Sequence, residues 1–400
     1  MATGRTRILN FSPSEDCRST LSCLAQLGVS ISQDRGEVII ESPGWERLKQ
    51  PEGTLDAGNS GTTIRLVSGL LAARPFRSTI AGDQSLNKRP MRRIIAPLEE
   101  MGSSIEAREG QFPPLTIRGT KLRPIRYTLP VASAQVKSCI LLAALTADGT
   151  TTVVENQATR DHTERALPVF GVPVERSGVE LRVTGPTALQ PAELLVPNDF
   201  SAAVYFILAA LLIPGSVLVF PGLGVNPTRS ALLEILLASG AEIQVHQTSE
   251  RDNEPRADLE IRYSPAILDS FPAEFPPELV PNVIDEIPAL AVLGVSLRKG
   301  LTITGAEELR KKESDRIHAV VSNLKNLGVE AEERHDGFHI PPGQKIRGGR
   351  VATFSDHRIA MAFAVAGLLA ESPVEIDDPA CTAISFPGFF DKLELAAGSC

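Results

Sequence analysis

The sequence predicts an α/β protein of two domains, each built from three copies of one repeated unit. An apolar helix end followed by glycine recurs six times, and a polar cluster, an apolar helix and a β-branched strand recur between those glycines. A chain of 400 residues, 42% of them hydrophobic and 22% charged, is long enough to bury two or three cores. The glycines of the first pattern are Gly28, Gly102, Gly171, Gly240, Gly328 and Gly398.

Each of these glycines is predicted to end a helix. Glycine adopts a left-handed backbone without a Cβ clash, which suits the residue after a helix and before a strand. Residues 24–29 (LAQLGV) and 324–329 (LKNLGV) show the pattern. A recurrence close to every 70 residues indicates a repeated supersecondary unit.

The second pattern occurs in five copies, beginning at residues 59, 133, 198, 285 and 355. The strands it predicts are residues 79–80, 151–154, 217–219, 301–303 and 374–376. The first unit begins only at its turn and strand, in residues 3–9, and lacks the opening cluster and helix. We therefore expect a chain shortened at its N-terminus by one strand and one helix; the alternative is a degenerate first unit.

Six units suggest two domains of three units, with a boundary near residues 194–198. The predicted domains are residues 1–197, with an incomplete first repeat, and residues 198–400. The polar residues 249–256 are predicted to form a surface loop.

Composition excludes several classes of protein. The net charge is −8, aromatic residues make up 5%, and no basic arm is present, so nucleic-acid binding is not expected. No apolar run reaches the roughly 20 residues of a membrane span, and the N-terminus has no signal-peptide pattern. Five cysteines without metal-ligand spacing indicate reduced thiols in a cytoplasmic protein. They are Cys17, Cys23, Cys139, Cys381 and Cys400.

Arginine accounts for 30 of the 40 basic residues, and its planar fork suits carboxylates and phosphates. The helix starts of the repeats reinforce this preference, because helix N-termini present free N–H groups to anions. Their Ser, Asn and Asp residues are ordinary N-caps, which is the preferred interpretation for residues 198–199. Gly61 would allow a ligand to approach the backbone, and Arg65, Gln135, Lys137 and Arg358 are longer than capping requires. The pattern predicts an anion site that needs no metal.

Two further stretches carry candidate chemistry. Residues 309–317 (LRKKESDRI) hold four cations and two carboxylates, and the ordinary alternative is a solvated helix start. Asp285 and Glu286 lie among apolar residues, so each is a cap or a tuned acid or base. Residues 87–93 and 159–164 add cations, although a surface turn is preferred for Arg92, Arg93 and His162. Metal, Walker-type and nucleophile-elbow signatures are absent from the sequence.

Together these motifs resemble the 3-phosphoshikimate 1-carboxyvinyltransferase (EPSP synthase) family along nearly the whole chain, from about residue 6 to 393. The motifs are GNSGTTIR (58–65), RPM (89–91), ASAQVKS (132–138), TRDHTE (159–164), IDE (284–286), KESDR (312–316) and DHR (356–358). Ala134 and the pair Asp161-His162 resemble a bacterial class that departs from the enterobacterial and plant pattern.

The resemblance implies two inverse α/β domains, each of three βαβαββ units, that close on ligands between them, with the first unit incomplete here. It implies transfer of enolpyruvyl from phosphoenolpyruvate to the 5-hydroxyl of shikimate 3-phosphate, through a tetrahedral intermediate and with release of phosphate. Both substrates carry a phosphate and a carboxylate, which suits arginine-rich helix starts. A monomeric cytoplasmic enzyme of the shikimate pathway is expected, with no cofactor and no metal.

The family's site residues map onto this sequence by motif. Asp285 would accept the 5-hydroxyl proton, and Glu313 would handle the proton at the methylene carbon of phosphoenolpyruvate. The residues for shikimate 3-phosphate would be Ser133, Ala134, Gln135, Arg160, Asp285 and Lys312. Those for phosphoenolpyruvate would be Gly61, Arg89, Gln135, Arg316 and Arg358.

Two departures from the family pattern leave alternatives open. The family's Lys-Ser-Ile-Ser-His-Arg-like opening segment is missing, and Ile384 or Ser385 stands where some members have a late lysine. The first alternative is therefore a non-catalytic relative that keeps the fold. The second is the sister transferase acting on UDP-N-acetylglucosamine, which uses a loop cysteine beside an arginine; Cys139 and Cys381 lack such surroundings. Since Gly61 leaves room where resistant relatives have alanine, a complete version is predicted to be inhibited by glyphosate in competition with phosphoenolpyruvate.

Overall fold

The structure is a computed structural model that describes residues 1–398. The chain divides into two compact units: unit 1 is Met1–Val196 with Arg251–Glu254, and unit 2 is Pro197–Glu250 with the chain from Pro255 onward. Cys400, one of the predicted thiols, lies outside the described residues. Burial raises the pKa of the Cys139 thiol to about 12.

Unit 1 contains helices and strands in repeated alternation. Its helices are α1 (Glu15–Gln26), α2 (Gly61–Leu71), α3 (Arg92–Glu100), α4 (Ala134–Ala144) and α5 (His162–Val169). Its strands are β1 (Thr3–Leu9), β2 (Ser30–Asp34), β3 (Glu37–Pro43), β4 (Leu55–Asp56), β5 (Arg77–Ala81), β6 (Ser104–Arg108), β7 (Phe112–Arg118), β8 (Arg126–Thr128), β9 (Gly149–Val154), β10 (Glu175–Ser177), β11 (Glu180–Gly185) and β12 (Glu193–Leu195).

Unit 2 is built in the same way. Its helices are α6 (Phe200–Leu212), α7 (Ala231–Ala238), α8 (Ile267–Ser270), α9 (Val280–Val283), α10 (Ile287–Ser296), α11 (Arg316–Asn326), α12 (His357–Leu368) and α13 (Phe389–Ala397). Its strands are β13 (Val217–Gly224), β14 (Ile243–Arg251), β15 (Glu254–Arg262), β16 (Leu301–Ile303), β17 (Glu332–Arg334), β18 (Gly337–Ile340), β19 (Gly349–Val351) and β20 (Val374–Ile376). Short 3₁₀ turns occupy Trp45–Arg47, Leu86–Lys88, Pro277–Leu279, Glu307–Lys311 and Pro379–Ile384.

The sheets of unit 1 share one topology. Their strand orders are β12-β1-β3-β2, β4-β5-β7-β6 and β10-β11-β9-β8. Each has one parallel pair at an edge, β1 with β12, β4 with β5, or β8 with β9, followed by an antiparallel hairpin. The chain order from β4 to β7, and again from β8 to β11, is βαβαββ, which confirms the predicted fold class.

The sheets of unit 2 repeat this arrangement with shorter edges. Their orders are β13-β15-β14, β16-β18-β17 and the parallel pair β19-β20. Single parallel bridges, Asn198 to Leu223 and Glu274 to Thr302, take the place of the edge strand in the first two.

The central helices of both units are apolar on nearly all sides. α2 packs on α4 in unit 1, and α10 packs on α6 and α12 in unit 2. Every residue of α10 from Ile287 to Val295 is buried, as expected for a helix whose whole surface is apolar. Polar groups on these helices therefore concentrate at their first turns, where the backbone N–H groups have no partner in the helix.

The five predicted strands are confirmed as parts of β5, β9, β13, β16 and β20. Five of the six helix-ending glycines adopt positive φ, between 78° at Gly240 and 115° at Gly102. Gly398 also ends its helix, but the left-handed backbone expected there is absent, since its φ is −80°. Its amide donates to the carbonyl of Glu394 at 2.8 Å, so it continues the helical hydrogen bonding and requires no left-handed turn.

The predicted loop at residues 249–256 was also wrong. These residues form the tip of the β14–β15 hairpin, and Asp252 and Asn253 adopt φ of 58° and 61°. Asp and Asn tolerate positive φ and so make a tight hairpin turn. This tip belongs to unit 1, where the Asp252 carboxylate accepts a hydrogen bond from the Leu195 amide at 2.8 Å. None of the helices within residues 1–398 is both long and apolar enough to cross a membrane.

Candidate active site

Asp285, just before α10, lies among four cations from three segments of unit 2. Its Oδ1 is 3.3 Å from Arg316 Nη1 and 3.4 Å from Lys312 Nζ. Its Oδ2 is 3.7 Å from both Arg229 Nη1 and Arg358 Nη2. The Asp285 side chain is 12% exposed and that of Lys312 is 28% exposed, so the cluster is partly open to solvent. One carboxylate and four cations within 4 Å of it, counted in the described part of the chain, make a site able to exchange its ion pairs for an anionic ligand.

Arg316, the first residue of α11, is the most deeply buried of these cations, at 1% exposure. It donates to Glu313 Oε2 at 2.6 Å and to the two Asp356 oxygens at 2.8 and 3.2 Å. Burial alone would lower the pKa of Arg316, but the charges of Asp356 and Glu313 raise it above its ordinary value. Burial would likewise raise the pKa of Asp356, whereas Arg316 holds it below its usual range. The Arg316 guanidinium and the Asp356 carboxylate therefore both stay ionised.

The charged run at residues 309–317 divides into two functions. Arg310 contacts Asp315 at 2.7 Å and Glu333 at 3.0 Å, and Asp315 caps α11 by accepting from the His318 amide. These contacts fix the helix start, as the ordinary interpretation of a charge run expects. Lys312, Glu313 and Arg316 instead join the Asp285 cluster, so the run is more than a solvated helix start.

Asp356 has a second function as the N-cap of α12. Its Oδ1 accepts from the Arg358 amide at 3.0 Å, and its Oδ2 accepts from Ser314 Oγ at 3.0 Å. The preceding residues Phe354 and Ser355 adopt φ of 55° and 56°, a conformation that costs energy for residues other than glycine. Asp356 thus links the starts of α11 and α12.

In unit 1, the starts of α2 and α4 are joined by side-chain hydrogen bonds. Ser60 caps α2 by accepting from the Thr63 amide at 3.1 Å. Arg65 Nη1 donates to the Gly61 carbonyl at 3.1 Å and to Gln135 Oε1 at 2.7 Å. Gln135 Nε2 donates in turn to Thr62 Oγ1 at 2.9 Å. The predicted residues Gly61 and Gln135 are therefore brought together, with Arg65 between them.

Arg89 lies close to the same helix start. It is buried, and its Nη2 donates to Asn59 Oδ1 at 2.8 Å. A Cβ placed on Gly61 would lie 2.6 Å from Arg65 Nη1 and 3.2 Å from Arg89 Nη1. The absence of a side chain at Gly61 is therefore what allows both guanidinium groups to sit against the first turn of α2.

Ser133 and Ala134 begin α4, where Ser133 caps the helix by accepting from the Val136 amide. Lys137, suggested by its length as a member of the anion site, is instead fully buried. Its Nζ lies 2.6 Å from Glu155 and 2.7 Å from Glu164. The reason is helical geometry: two residues are about 200° apart around the helix, so Lys137 cannot face the same way as Gln135.

Arg160 lies in the turn before α5, and its neighbour Thr159 is fixed by buried charges. The Thr159 amide and hydroxyl donate to the Glu155 carboxylate at 2.9 and 3.0 Å, and its carbonyl accepts from Lys137 Nζ at 3.5 Å. His162 is exposed and lies 2.7 Å from Glu254, in agreement with the surface-turn interpretation.

Sequence reasoning missed Arg229 and left Glu286 without a role. Arg229 precedes α7, and its Nη2 contacts Asp199 Oδ1 at 3.0 Å. Glu286 is buried and accepts a hydrogen bond from Ser201 Oγ. The sequence did contain one signal for Arg229, because it is the single arginine in the largely apolar stretch of residues 218–238. Asp199 confirms the capping interpretation of its segment, since it accepts from the amides of Ser201 and Ala202.

The DHR motif also contains a buried histidine. Burial lowers the pKa of His357 to about 4, with its neighbour Asp356 opposing the shift, so the ring is neutral near pH 7. In residues 1–398, no group of three or more His, Cys, Asp and Glu side chains is placed to hold a metal ion.

Comparison with known proteins gives one consistent result. Residues 1–393 match the family described as EPSP synthase (3-phosphoshikimate 1-carboxyvinyltransferase). A protein named 3-phosphoshikimate 1-carboxyvinyltransferase from Solibacter usitatus is 48% identical, over 99% of this chain and 92% of its own length. A protein of the same name from Shouchella clausii is 46% identical, over 98% of this chain and 91% of its own length. The 2.37 Å structure of EPSP synthase from Acinetobacter baumannii is 40% identical with a TM-score of 0.85, covering 99% of this chain and 91% of its own. This chain belongs to the EPSP synthase family.

Proposed function

We infer that this chain is an enzyme that transfers the enolpyruvyl group of phosphoenolpyruvate to the 5-hydroxyl of shikimate 3-phosphate and releases phosphate. The observation that carries the inference is that relatives named for this reaction match along 98–99% of the chain. The same coverage does not favour the alternative of a non-catalytic relative. The reaction belongs to the shikimate pathway, which leads to chorismate and the aromatic amino acids.

For shikimate 3-phosphate we propose the polar groups that the family's motifs indicate. Ser133 and Ala134 offer the first turn of α4, with its free amides, to an anion. Lys312 and Asp285, 3.4 Å apart, offer a cation and a hydrogen-bond acceptor. The full proposed set is Ser133, Ala134, Gln135, Arg160, Asp285 and Lys312.

For phosphoenolpyruvate we propose a set rich in guanidinium groups. Arg89 beside Gly61 suits a phosphate or carboxylate that approaches the start of α2. Arg316 and Arg358 both lie within 3.7 Å of Asp285, at the starts of α11 and α12. The full proposed set is Gly61, Arg89, Gln135, Arg316 and Arg358.

We propose that Asp285 and Glu313 carry out the two proton transfers. In the addition step, Asp285 accepts the 5-hydroxyl proton as the oxygen bonds to C2 of phosphoenolpyruvate, and Glu313 donates a proton to C3. In the elimination step, the Glu313 carboxylate takes a proton back from the new methyl group as the bond between C2 and the phosphate oxygen breaks, and phosphate departs with the proton held by Asp285. Glu313 must enter protonated, and an anionic substrate that takes over Arg316 would release Glu313 from the guanidinium now 2.6 Å away.

The direct test is turnover by the purified chain. Phosphate release and the enolpyruvyl vinyl protons should be followed together by a colorimetric assay and proton NMR, with each substrate omitted in turn as the control. We expect both signals only when both substrates are present. Binding of shikimate 3-phosphate in calorimetry without either signal would instead establish the non-catalytic alternative.

Glyphosate inhibition is a further proposal that rests on Gly61. Gly61 carries no Cβ, and a Cβ there would lie 2.6 Å from Arg65 Nη1 and 3.2 Å from Arg89 Nη1, at the proposed phosphoenolpyruvate site. We expect glyphosate to raise the apparent KM for phosphoenolpyruvate without changing kcat. Unchanged kinetics at millimolar glyphosate would contradict this.

The predicted domains, residues 1–197 and 198–400, are proposed to correspond to the two compact units, with the hairpin tip Arg251–Glu254 as the exception. A monomeric state and a cytoplasmic location also remain proposals. Sedimentation velocity of the full chain tests the first, since a single species near 42.9 kDa is expected.

A further inference from the structure

Arg229 is a cation of the Asp285 cluster that the proposed substrate sets do not use. Its side chain is 16% exposed and spans two carboxylates, with Nη2 at 3.0 Å from Asp199 Oδ1 and Nη1 at 3.7 Å from Asp285 Oδ2. It therefore connects the carboxylate before α10 to the N-cap of α6.

The backbone that carries Arg229 is fixed by a compact turn. Asn226 is buried, and its side-chain oxygen accepts from the Thr228 amide at 3.0 Å and from the Thr228 hydroxyl at 2.9 Å. The Asn226 carbonyl accepts from the Arg229 amide at 2.8 Å. The guanidinium thus starts from a rigid base, which reduces the entropy lost when it holds one position.

We propose that Arg229 is a positioning residue for the transferase reaction, holding the Asp285 carboxylate ionised and oriented while substrate anions occupy the other cations. This inference rests on the proposed function, in which Asp285 accepts the hydroxyl proton. Lys312, Arg316 and Arg358 are all proposed substrate ligands, so each must divide its charge between Asp285 and a bound anion. The two described partners of Arg229 are both carboxylates of the protein.

The other charges around Arg229 favour its ionised form. Burial would lower the pKa of Arg229, but Asp199, Glu286 and Asp285 together raise it above its ordinary value. Glu286 is fully buried beside Asp285, and its Oε2 has no hydrogen-bond partner among the described residues. That second carboxylate would disfavour the ionised form of Asp285, since like charges repel. A permanent cation at Arg229 counteracts this effect.

The charged groups that face Asp285 set the expected sign of the test. The cations Arg229, Lys312, Arg316 and Arg358 lie within 3.7 Å of Asp285. The carboxylates Asp199 and Glu286 act on Arg229, and Glu313 and Asp356 pair with Arg316. Replacing Arg229 removes one cation, so Asp285 should take up its proton at a higher pH, by about one pH unit. Replacing Asp199 with Asn keeps a capping side chain and removes a negative charge, so the midpoint should move to lower pH.

The experiment measures the pH midpoint of Asp285 titration in two ways, once in the resting protein and once from the pH dependence of turnover. Protein labelled with carbon-13 at aspartate carboxyls is titrated by NMR, and Asp285→Asn assigns the resonance. The acidic limb of the kcat profile is measured in parallel. The variants are Arg229→Gln, Arg229→Lys and Asp199→Asn, and Arg298→Ala removes an exposed arginine paired with Asp269 as the control.

We expect an upward shift of about one unit in Arg229→Gln, little shift in Arg229→Lys, a downward shift in Asp199→Asn and none in Arg298→Ala. An unmoved Asp285 midpoint in Arg229→Gln, in an active wild-type enzyme, overturns the inference and leaves the proposed function standing. If the variants show the expected shifts but the wild-type chain has no turnover, the electrostatic effect of Arg229 on Asp285 stands and the proposed function is wrong.

Discussion

Two ion clusters of this protein have opposite layouts. In unit 1, the cation Lys137 lies between the carboxylates of Glu155 and Glu164, and these three side chains are at most 9% exposed. The half-exposed Arg176 lies at the edge of this cluster, 3.8 Å from Glu155 and 3.6 Å from Glu164. In unit 2, the carboxylate Asp285 lies among four cations from three segments, and the cluster is partly open to solvent. Lys137 and its two carboxylates are sealed inside the fold, whereas the Asp285 cluster can be reached by a ligand.

The difference separates a structural cluster from the one that we propose to be reactive. A sealed lysine whose described bonds end on protein groups holds α4 against the turn at Thr159, and removing it would leave its buried carboxylates poorly compensated. A carboxylate whose cations are shared with other acids can lose or gain charge neighbours when an anion binds. Its proton affinity then depends on the ligand, as a base in a two-step proton transfer requires.

Asp285→Asn should have the largest effect on catalysis. The amide cannot accept the hydroxyl proton, so kcat should fall by about a hundredfold to ten-thousandfold. The unfolding midpoint should change little, because the site is partly solvated and the isosteric side chain keeps its shape. Steady-state phosphate release and thermal unfolding measure the two effects. A drop in kcat of less than about threefold would remove Asp285 from the role of base.

Lys137→Met should have the opposite profile. It removes the buried cation at 2.6 and 2.7 Å and leaves the two carboxylates only the longer contacts to Arg176, which costs about 3–5 kcal/mol of unfolding free energy. Lys121→Met is the matched control, because Lys121 is 81% exposed and pairs with Asp148 at 3.3 Å. Its cost should lie within about 1 kcal/mol. Urea unfolding of both variants gives the comparison, and equal losses would mean that the sealed cluster contributes no more than a surface pair.

Gly61→Ala tests the helix start in unit 1 that carries Arg65 and Arg89. The added methyl must displace the ends of both guanidinium groups, which are flexible, so the fold should tolerate it. We expect the KM for phosphoenolpyruvate to rise about tenfold, equivalent to about 1.4 kcal/mol of binding free energy. Gly53→Ala is the control, since a Cβ there meets no atom within 4 Å. An unchanged KM in Gly61→Ala would argue against the proposed phosphoenolpyruvate contacts at Arg89.

Much of the fold could be predicted from the sequence. The two ion clusters show which contacts of the site could not. Helix-ending glycines and N-caps depend on local backbone geometry, so positions such as Gly102 and Ser133 could be identified from spacing alone. Lys137 and Gln135 stand two residues apart in one motif, and only the packing of α4 decides which of them is buried. Arg229 approaches Asp285 from 56 positions away in the sequence, and no local pattern predicts such a contact.

Glu164 allows a smaller test of the sealed cluster through pH. Burial raises the pKa of Glu164 above its ordinary value of 4.5, although Lys137 opposes the shift. Above the folded-state pKa the folded protein carries the full cost of this buried charge, and that cost disappears as the pH falls toward 4.5 and the folded state binds the proton. Glu164→Gln should therefore unfold at a higher temperature than the wild type at pH 7, with a gain that shrinks toward pH 4.5. A lower unfolding temperature at pH 7 would show that attraction to Lys137 outweighs burial.

The smallest expected effect concerns the backbone before the reactive cluster. Phe354 adopts φ of 55° two residues ahead of the α12 cap Asp356, whereas the caps of the unit 1 helices, Ser60 and Ser133, have φ of −75° and −148°. Phe354→Gly removes the cost of that conformation, about 1 kcal/mol, and loses a half-exposed ring whose centroid lies 6.3 Å from that of His318. We expect the unfolding free energy to rise by less than about 1 kcal/mol, while kcat falls a few-fold because a glycine there lets Asp356 and Arg358 move. Both quantities can be measured on one preparation by urea unfolding and phosphate release. A gain in stability without any loss of kcat would mean that the strained turn does not help to position the cations around Asp285.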